Sequence, residues 1–205
     1  MTPTPTQSDS SLRYLALGDS YTIGESVAEN ERWPNQLATL LGADIEVQII
    51  ARTGWTTSEL WEGIQAQGVN PPYDMVSLLI GVNNQYRGYD IEEYRTEFIF
   101  LLNKAIEYAG GDNQKVFVLS IPDWGVTPFA NGRDAEKIAS EIDAFNKVNK
   151  DESEKAGVAY MDITPVSREA VKDATLIAGD GLHPSGKMYA QWAKLALPIA
   201  LEILK

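Results

Sequence analysis

Residues 13–24 of the chain read Arg-Tyr-Leu-Ala-Leu-Gly-Asp-Ser-Tyr-Thr-Ile-Gly. The apolar run Arg13–Leu17 is short and ends at a glycine, which predicts a buried strand followed by a turn. Ser20 is therefore expected just beyond the carboxyl end of the first strand. In open parallel sheets ligands bind outside this edge, so the segment after the strand is the first candidate for a functional site.

Four more short apolar runs predict strands, and they are Ile45–Ala51, Met75–Ile80, Val116–Ser120 and Val158–Asp162. Between them apolar residues recur at helical spacing. This alternation predicts an α/β fold, a three-layer α/β/α sandwich with a mainly parallel five-stranded sheet. The closing segment Ser185–Leu204 also has helical spacing, and Pro198 predicts a kink or a restart within it.

The chain is predicted to hold one domain, residues 12–205, because no repeat, linker or change in composition divides it. Residues 1–11 (Met-Thr-Pro-Thr-Pro-Thr-Gln-Ser-Asp-Ser-Ser) predict a disordered tail. They have neither the basic nor the apolar region of a signal peptide. The compartment stays open between the cytoplasm and export after loss of a signal peptide, and the sequence does not indicate an oligomeric state.

Composition excludes several partners. The 205 residues include 17 Lys and Arg against 29 Asp and Glu, a net charge of −12, which opposes binding to nucleic acid. Apolar stretches such as Met75–Ile80 are far shorter than the roughly 18 residues of a membrane span, so no integral membrane association is expected. The absence of cysteine excludes a thiolate metal site and a cysteine nucleophile.

The only histidine is His183, in the stretch Asp180-Gly181-Leu182-His183-Pro184. A serine hydroxyl is a weak nucleophile and needs a base, which in turn needs an orienting carboxylate. His183 is the one imidazole available, and Asp180 lies three residues before it. The sequence thus predicts a serine hydrolase with Ser20 as nucleophile, His183 as base and Asp180 as the orienting carboxylate.

Two further residues are candidates for stabilising a negatively charged oxygen. Gly54 follows the second predicted strand, and Asn83 follows the third. The backbone N–H groups of Ser20 and Gly54 and the side-chain amide of Asn83 are a plausible set of oxyanion-hole donors.

Four blocks of the chain resemble the motifs of the SGNH or GDSL-type hydrolase family and occur in the same order. They are Gly18–Gly24, Thr53–Thr57, Gly81–Asn84 and Asp180–Pro184. The resemblance implies a flavodoxin-like SGNH hydrolase fold and ester cleavage through an acyl-enzyme, with no metal and no organic cofactor. It also implies the roles given above to Ser20, Gly54 and Asn83. Asn84 stands where the family more often has Asp, so the resemblance implies that Asn84 fixes the loop and does not contact the substrate.

The family includes short-chain esterases, lysophospholipases, thioesterases and carbohydrate deacetylases. Because the sequence has no long apolar lid segment, we expect a small-molecule ester substrate with a small or single acyl group. Trp124 is the aromatic residue whose position after the fourth predicted strand favours the cleft. The other candidate contacts for the acyl or alcohol group are Trp33, Trp55, Trp61, Tyr86, Tyr89 and Phe129, although aromatic residues at helical spacing more often belong to the core.

The main alternative is a flavodoxin-like flavin-binding protein, in which Ser20–Gly24 would hold a flavin phosphate. That interpretation gives no role to Asp180 and His183. A catalytically silent carbohydrate-binding module is disfavoured because all four blocks are present. A metal hydrolase is disfavoured because one histidine and no cysteine leave only carboxylates as ligands.

Overall fold

The computed structural model describes residues 11–42 and 44–205, so the predicted tail lies outside the described residues except for Ser11. The strands are β1 (Leu12–Asp19), β2 (Ile45–Arg52), β3 (Met75–Leu79), β4 (Val116–Leu119) and β5 (Ala159–Met161). The α-helices are α1 (Ser20–Ile23), α2 (Trp33–Leu41), α3 (Thr57–Gln67), α4 (Val82–Tyr86), α5 (Ile91–Tyr108), α6 (Ala135–Lys155), α7 (Thr164–Arg168) and α8 (Gly186–Ile203).

The five strands form one sheet in the order β2-β1-β3-β4-β5, and every neighbouring pair is parallel. The register between β1 and β2 runs from Leu12 opposite Ile45 to Asp19 opposite Arg52. This confirms the predicted five-stranded parallel sheet. Because the strands are parallel, the segments that follow β1, β2 and β3 emerge at one edge of the sheet.

Helices cover the sheet in two groups, which confirms the three-layer architecture. Helices α2 and α8 pack against each other, while α3 packs on α5 and α5 on α6. Under the first group the rings of Tyr14, Trp33 and Phe117 lie within 6.5 Å of one another, centroid to centroid. The hydroxyls of Tyr14 and Ser77 share a hydrogen bond of 2.8 Å, so the buried phenol is not left without a partner.

Helix α8 passes through Pro198 without the restart that the sequence suggested. A proline in a helix cannot donate to the carbonyl four residues earlier, which here belongs to Lys194. Both residues are exposed, so water can hydrogen-bond that carbonyl and the helix continues. In the described part of the chain, no helix combines the length and the apolar character needed to cross a membrane.

Candidate active site

Ser20 lies at the junction between β1 and α1, the position predicted from the sequence. The side chain of Asp19 accepts a hydrogen bond from the backbone N–H of Tyr21 (3.0 Å), which fixes the first turn of the helix. A side chain at Gly18 would meet the Leu79 carbonyl oxygen at 2.5 Å, so glycine is needed for β1 to approach β3 here. The Ser20 hydroxyl has no hydrogen-bond partner among the described residues.

The carboxyl group of Asp19 is fully buried. Burial raises its pKa to about 7, although the N–H groups of Tyr21 and of Asp19 itself oppose this shift. One of its oxygens, Oδ2, has no partner in the described part of the structure. A neutral carboxyl is therefore favoured beside Ser20 at acidic to neutral pH.

Asp180 and His183 are joined by a hydrogen bond of 2.6 Å between Asp180 Oδ2 and His183 Nδ1. The other oxygen, Oδ1, accepts from the backbone N–H groups of Leu182 (2.9 Å) and His183 (3.0 Å). Gly181 has φ = +74°, a left-handed conformation that permits this tight turn. The imidazole packs against the ring of Tyr21, with centroids 5.3 Å apart.

The charge of Asp180 is stabilised by these contacts. Partial burial raises the pKa of its carboxyl, but hydrogen bonds from His183 Nδ1, from the two backbone N–H groups and from the Ser26 hydroxyl outweigh burial. The net result is a pKa well below the ordinary range of an aspartate. Asp180 is thus ionised throughout the neutral range, the state that an adjacent imidazolium requires.

The loop after β2 and the helix after β3 form the other side of the site. Gly54 has φ = +87°, which residues with a Cβ rarely adopt. Asn83 is on α4, and its Nδ2 donates to the Trp55 carbonyl at 2.9 Å. That bond fixes the orientation of the amide and leaves its second N–H for another acceptor.

Two more side chains near Asn83 hold the same loop. Arg87 donates to the Gly54 carbonyl at 2.6 Å, while its guanidinium also pairs with Glu59 at 3.2 Å. The buried Asn84 accepts from the Thr57 backbone N–H (3.2 Å) and donates to the Thr57 hydroxyl (2.7 Å). These contacts support the expected role of Asn84 in fixing the loop.

These segments enclose a cavity of about 150 Å³. Its polar side is formed by Ser20, Thr53, Gly54, Asn83 and His183, and its apolar side by Tyr21, Val82, Tyr86, Trp124, Phe129 and Leu182. The structure therefore brings Ser20, Gly54, Asn83 and His183 to one cavity, with Asp180 behind His183. An opening with a few polar groups and an apolar wall suits a small substrate that has one reactive polar group.

Three aromatic rings form one part of the apolar wall, the buried Trp124 and the exposed Tyr86 and Phe129. The centroids of Tyr86, Trp124 and Phe129 lie 5.3–6.1 Å apart, and the Arg133 guanidinium lies within 5.4 Å of each. The Trp124 indole N–H donates to Gln85 at 2.8 Å, which holds the ring in place. Trp124 was expected in the cleft from its position in the sequence.

Tyr86 and Phe129 were among the aromatic candidates for acyl or alcohol contacts, but their positions in the sequence did not favour the cleft as that of Trp124 did. Tyr86 is three residues after Asn83 on α4, and this helical spacing places both on one face. Phe129 follows Trp124 in two short turns, Trp124–Val126 and Pro128–Ala130. Its backbone N–H donates to the Gly181 carbonyl at 2.9 Å, and only the tertiary structure reveals this link to the Asp180 turn.

The sequence profile of the GDSL-like lipase/acylhydrolase family matches residues 16–191. That range is most of the chain and includes the predicted site residues from Ser20 to His183. The chain belongs to the GDSL-like lipase/acylhydrolase family. The predicted resemblance is thus confirmed, and the protein is a carboxylic ester hydrolase of the GDSL type rather than a flavin-binding protein. Comparison with curated protein sequences gave no match.

Solved structures of this fold resemble the GDSL-like acylhydrolase along most of its length. A lipolytic protein of the G-D-S-L family from Veillonella parvula is 19% identical, with 92% of this chain and 97% of that chain covered and a TM-score of 0.71. TesA is 18% identical, with coverages of 94% and 99% and a TM-score of 0.72. The acetylxylan esterase Axe2 from Geobacillus stearothermophilus is 22% identical, with coverages of 92% and 94% and a TM-score of 0.68. At these identities the comparisons show the shared fold.

Proposed function

We propose that this acylhydrolase cleaves small carboxylic esters through an acyl-enzyme formed on Ser20. The observation that carries the proposal is the shared cavity of Ser20 and His183, together with the 2.6 Å hydrogen bond from His183 to Asp180. The other ring nitrogen of His183, Nε2, would accept the serine proton. Hydrogen bonds between a nucleophile and its base, here Ser20 and His183, often shorten only when the substrate is bound.

In the first step the Ser20 oxygen attacks the ester carbonyl carbon, and His183 takes the hydroxyl proton. The carbonyl oxygen becomes an oxyanion, which would accept hydrogen bonds from the N–H groups of Ser20 and Gly54 and from Asn83 Nδ2. Collapse expels the alcohol with the proton from His183. Water then attacks the acyl carbon while His183 takes a proton from it. His183 returns this proton to the Ser20 oxygen as the acid leaves, which restores the Ser20 hydroxyl.

The cavity size favours a short acyl group. About 150 Å³ is below the roughly 300–1,000 Å³ of sites that hold drug-sized ligands. The aromatic wall of Tyr86, Trp124 and Phe129 would close around the acyl group and exclude a long chain. Among the substrate classes of the family, short-chain esters and acetylated carbohydrates fit this volume better than lysophospholipids. The acetylxylan esterase Axe2, which shares the fold, is named for an acetyl ester.

The test of the nucleophile is covalent labelling. An organophosphonate should add once to the protein, and peptide mass spectrometry should map the adduct to Ser20. Ser20→Ala should abolish both labelling and hydrolysis. Labelling at another serine, or wild-type hydrolysis by Ser20→Ala, would exclude the proposed mechanism.

The test of substrate size is kcat/KM for acetate, butyrate, octanoate and palmitate esters of one alcohol, with lysophospholipid and an acetylated sugar alongside. We expect a maximum at the shortest chains. Phe129→Ala opens the rim and should move the maximum to longer chains. Phe100→Ala is the matched control, because Phe100 is equally exposed (41% against 42%) but packs on Trp61 outside the cavity. An unchanged preference in Phe129→Ala would contradict the proposed acyl site.

A further inference from the structure

Ser26 has a backbone conformation that serine rarely adopts. Its φ is +66°, and among the described residues it is the only non-glycine residue with a positive φ. A left-handed conformation is unfavourable for a residue with a Cβ, because the Cβ then crowds the following carbonyl oxygen. Strain of this kind persists where other contacts hold it, and it is found disproportionately at functional sites.

The strained backbone directs the Ser26 hydroxyl at the Asp180 carboxylate. Ser26 Oγ donates to Asp180 Oδ2 at 2.7 Å, and this is the oxygen that also receives His183 Nδ1 at 2.6 Å. The remaining described donors to Asp180 are the N–H groups of Leu182 and His183, which belong to its own turn. Ser26 is the only described donor to this carboxylate from outside that turn.

Ser26 belongs to the loop that leaves the Ser20 helix. That loop begins at Gly24, whose N–H donates to the Ser20 carbonyl at 3.0 Å. The next residue, Glu25, accepts a hydrogen bond from the hydroxyl of Thr53, which lines the cavity beside Gly54. One short loop therefore contacts the Ser20 helix, the Gly54 loop and, through Ser26, the Asp180 turn.

We infer that Ser26 is a positioning residue, which holds Asp180 and through it His183 in register with Ser20. This inference rests on the proposed function of the three residues. With both lone-pair directions of Oδ2 occupied, the carboxylate cannot rotate away from His183 Nδ1. The imidazole then keeps its proton on Nδ1 and leaves Nε2 free to accept the serine proton. Without the Ser26 hydroxyl, the Asp180 turn loses its hydrogen bond to the loop that follows the Ser20 helix.

Three substitutions separate the hydroxyl from the backbone strain. Ser26→Ala removes the hydroxyl and keeps the Cβ at positive φ, whereas Ser26→Gly removes the hydroxyl and the strain. Ser26→Thr keeps a hydroxyl in the same position. We expect Ser26→Ala and Ser26→Gly to lose about tenfold in kcat with KM unchanged, and Ser26→Thr to recover most of kcat.

Melting temperatures should follow a different order. The Gly variant should be as stable as the wild type or more so, because glycine relaxes at this φ, while the Ala and Thr variants should be less stable. In this series kcat then depends on whether residue 26 has a hydroxyl, and the melting temperature depends on whether residue 26 has a Cβ at positive φ. Wild-type kcat in both Ser26→Ala and Ser26→Gly, or a Ser26→Thr enzyme as slow as Ser26→Ala, would overturn the inference.

The tautomer of His183 gives a readout that does not depend on activity. Because the sequence has one histidine, the ring ¹⁵N signals of untagged protein belong to His183 alone. We expect Nδ1 to be protonated in the neutral imidazole of Ser20→Ala, and a mixture of tautomers when Ser26→Ala is added. An unchanged tautomer would refute positioning by Ser26. Wild-type hydrolysis by Ser20→Ala would instead refute the proposed function, and the NMR comparison would still decide the role of Ser26.

Discussion

The buried Asn84 makes hydrogen bonds whose direction explains why asparagine, and not aspartate, suits this position. The Thr57 hydroxyl donates its only proton to Glu97, because a carboxylate accepts and does not donate. Residue 84 contacts the same hydroxyl oxygen at 2.7 Å, so it must supply a proton, and an asparagine amide can do so. The chain of donors runs from Asn84 through Thr57 to Glu97.

Asn84→Asp should therefore destabilise the protein. The new carboxyl would face the Thr57 oxygen without a proton between them, in a position with 0% exposure. A buried polar group without a partner costs about 1–3 kcal/mol, and more when charged, so we expect a loss of about 3 kcal/mol. For a chain of this length each kcal/mol lowers the melting temperature by about 2–4 °C, which gives a fall of about 6–12 °C.

The second substitution, Glu97→Gln, allows the hydrogen bonds to run in the opposite direction, from residue 97 through Thr57 to residue 84. The glutamine amide can donate to the Thr57 oxygen, and Thr57 can then donate to the new carboxyl at position 84. Melting curves of the two single variants and the double variant form a thermodynamic cycle. We expect Glu97→Gln alone to cost less than about 1 kcal/mol and the double variant to recover most of the loss. An Asn84→Asp protein as stable as the wild type, or a double variant as unstable as Asn84→Asp, would refute the reasoning.

Three further predictions concern rate and pH. Asn83→Ala should lower kcat by about 10²–10³, roughly 2.7–4 kcal/mol, with little change in KM, because an oxyanion donor acts in the transition state; a kcat near wild type would remove Asn83 from the oxyanion hole. His183→Ala should lose most of kcat, because no other imidazole can take the Ser20 proton, and a kcat near wild type would exclude His183 as the base. Asp19→Asn should flatten the decline in stability between about pH 4 and pH 7. The raised pKa of Asp19, about 7, means that over this range the folded state holds a proton which the unfolded state has released. The stability from Asp19 is therefore full below about pH 4 and lost as pH rises to about 7; parallel melting curves for the two proteins over this range would contradict that account.

The sheet was predictable because its strands are short apolar runs with clear ends. Each predicted strand corresponds to an observed one. For example, β1 spans Leu12–Asp19 and includes the whole predicted run Arg13–Leu17. The order of the site blocks was equally informative, since parallel strands bring their following segments to one edge. Ser20, Gly54 and Asn83 therefore meet at the cavity as the alternation of strands and helices implied.

Contacts between loops far apart in sequence could not be predicted. Ser26 and Asp180 are separated by 154 positions, and nothing in the residues around Ser26 indicates a left-handed conformation. Phe129 joins the cavity through two short turns that have no periodic pattern. Pro198 does not restart α8, because Lys194, whose carbonyl loses its helical donor, is exposed to water, and the sequence does not encode exposure directly.

Asp19 and Asp180 lie on two sides of the proposed Ser20–His183 pair, and their opposite environments suit opposite requirements of the proposed ester cleavage. The transition state places a negative charge on the carbonyl oxygen and a positive charge on the imidazole. Asp180 is held ionised by four donors and can stabilise the imidazolium. Asp19 precedes Ser20 in the chain, and an ionised carboxylate there would repel the oxyanion. Burial raises its pKa to about 7, so this repulsion is weakest below neutral pH. In a protein with a net charge of −12, the charge beside Ser20 therefore depends on the burial of Asp19 and on the hydrogen bonds to Asp180, and not on the number of carboxylates.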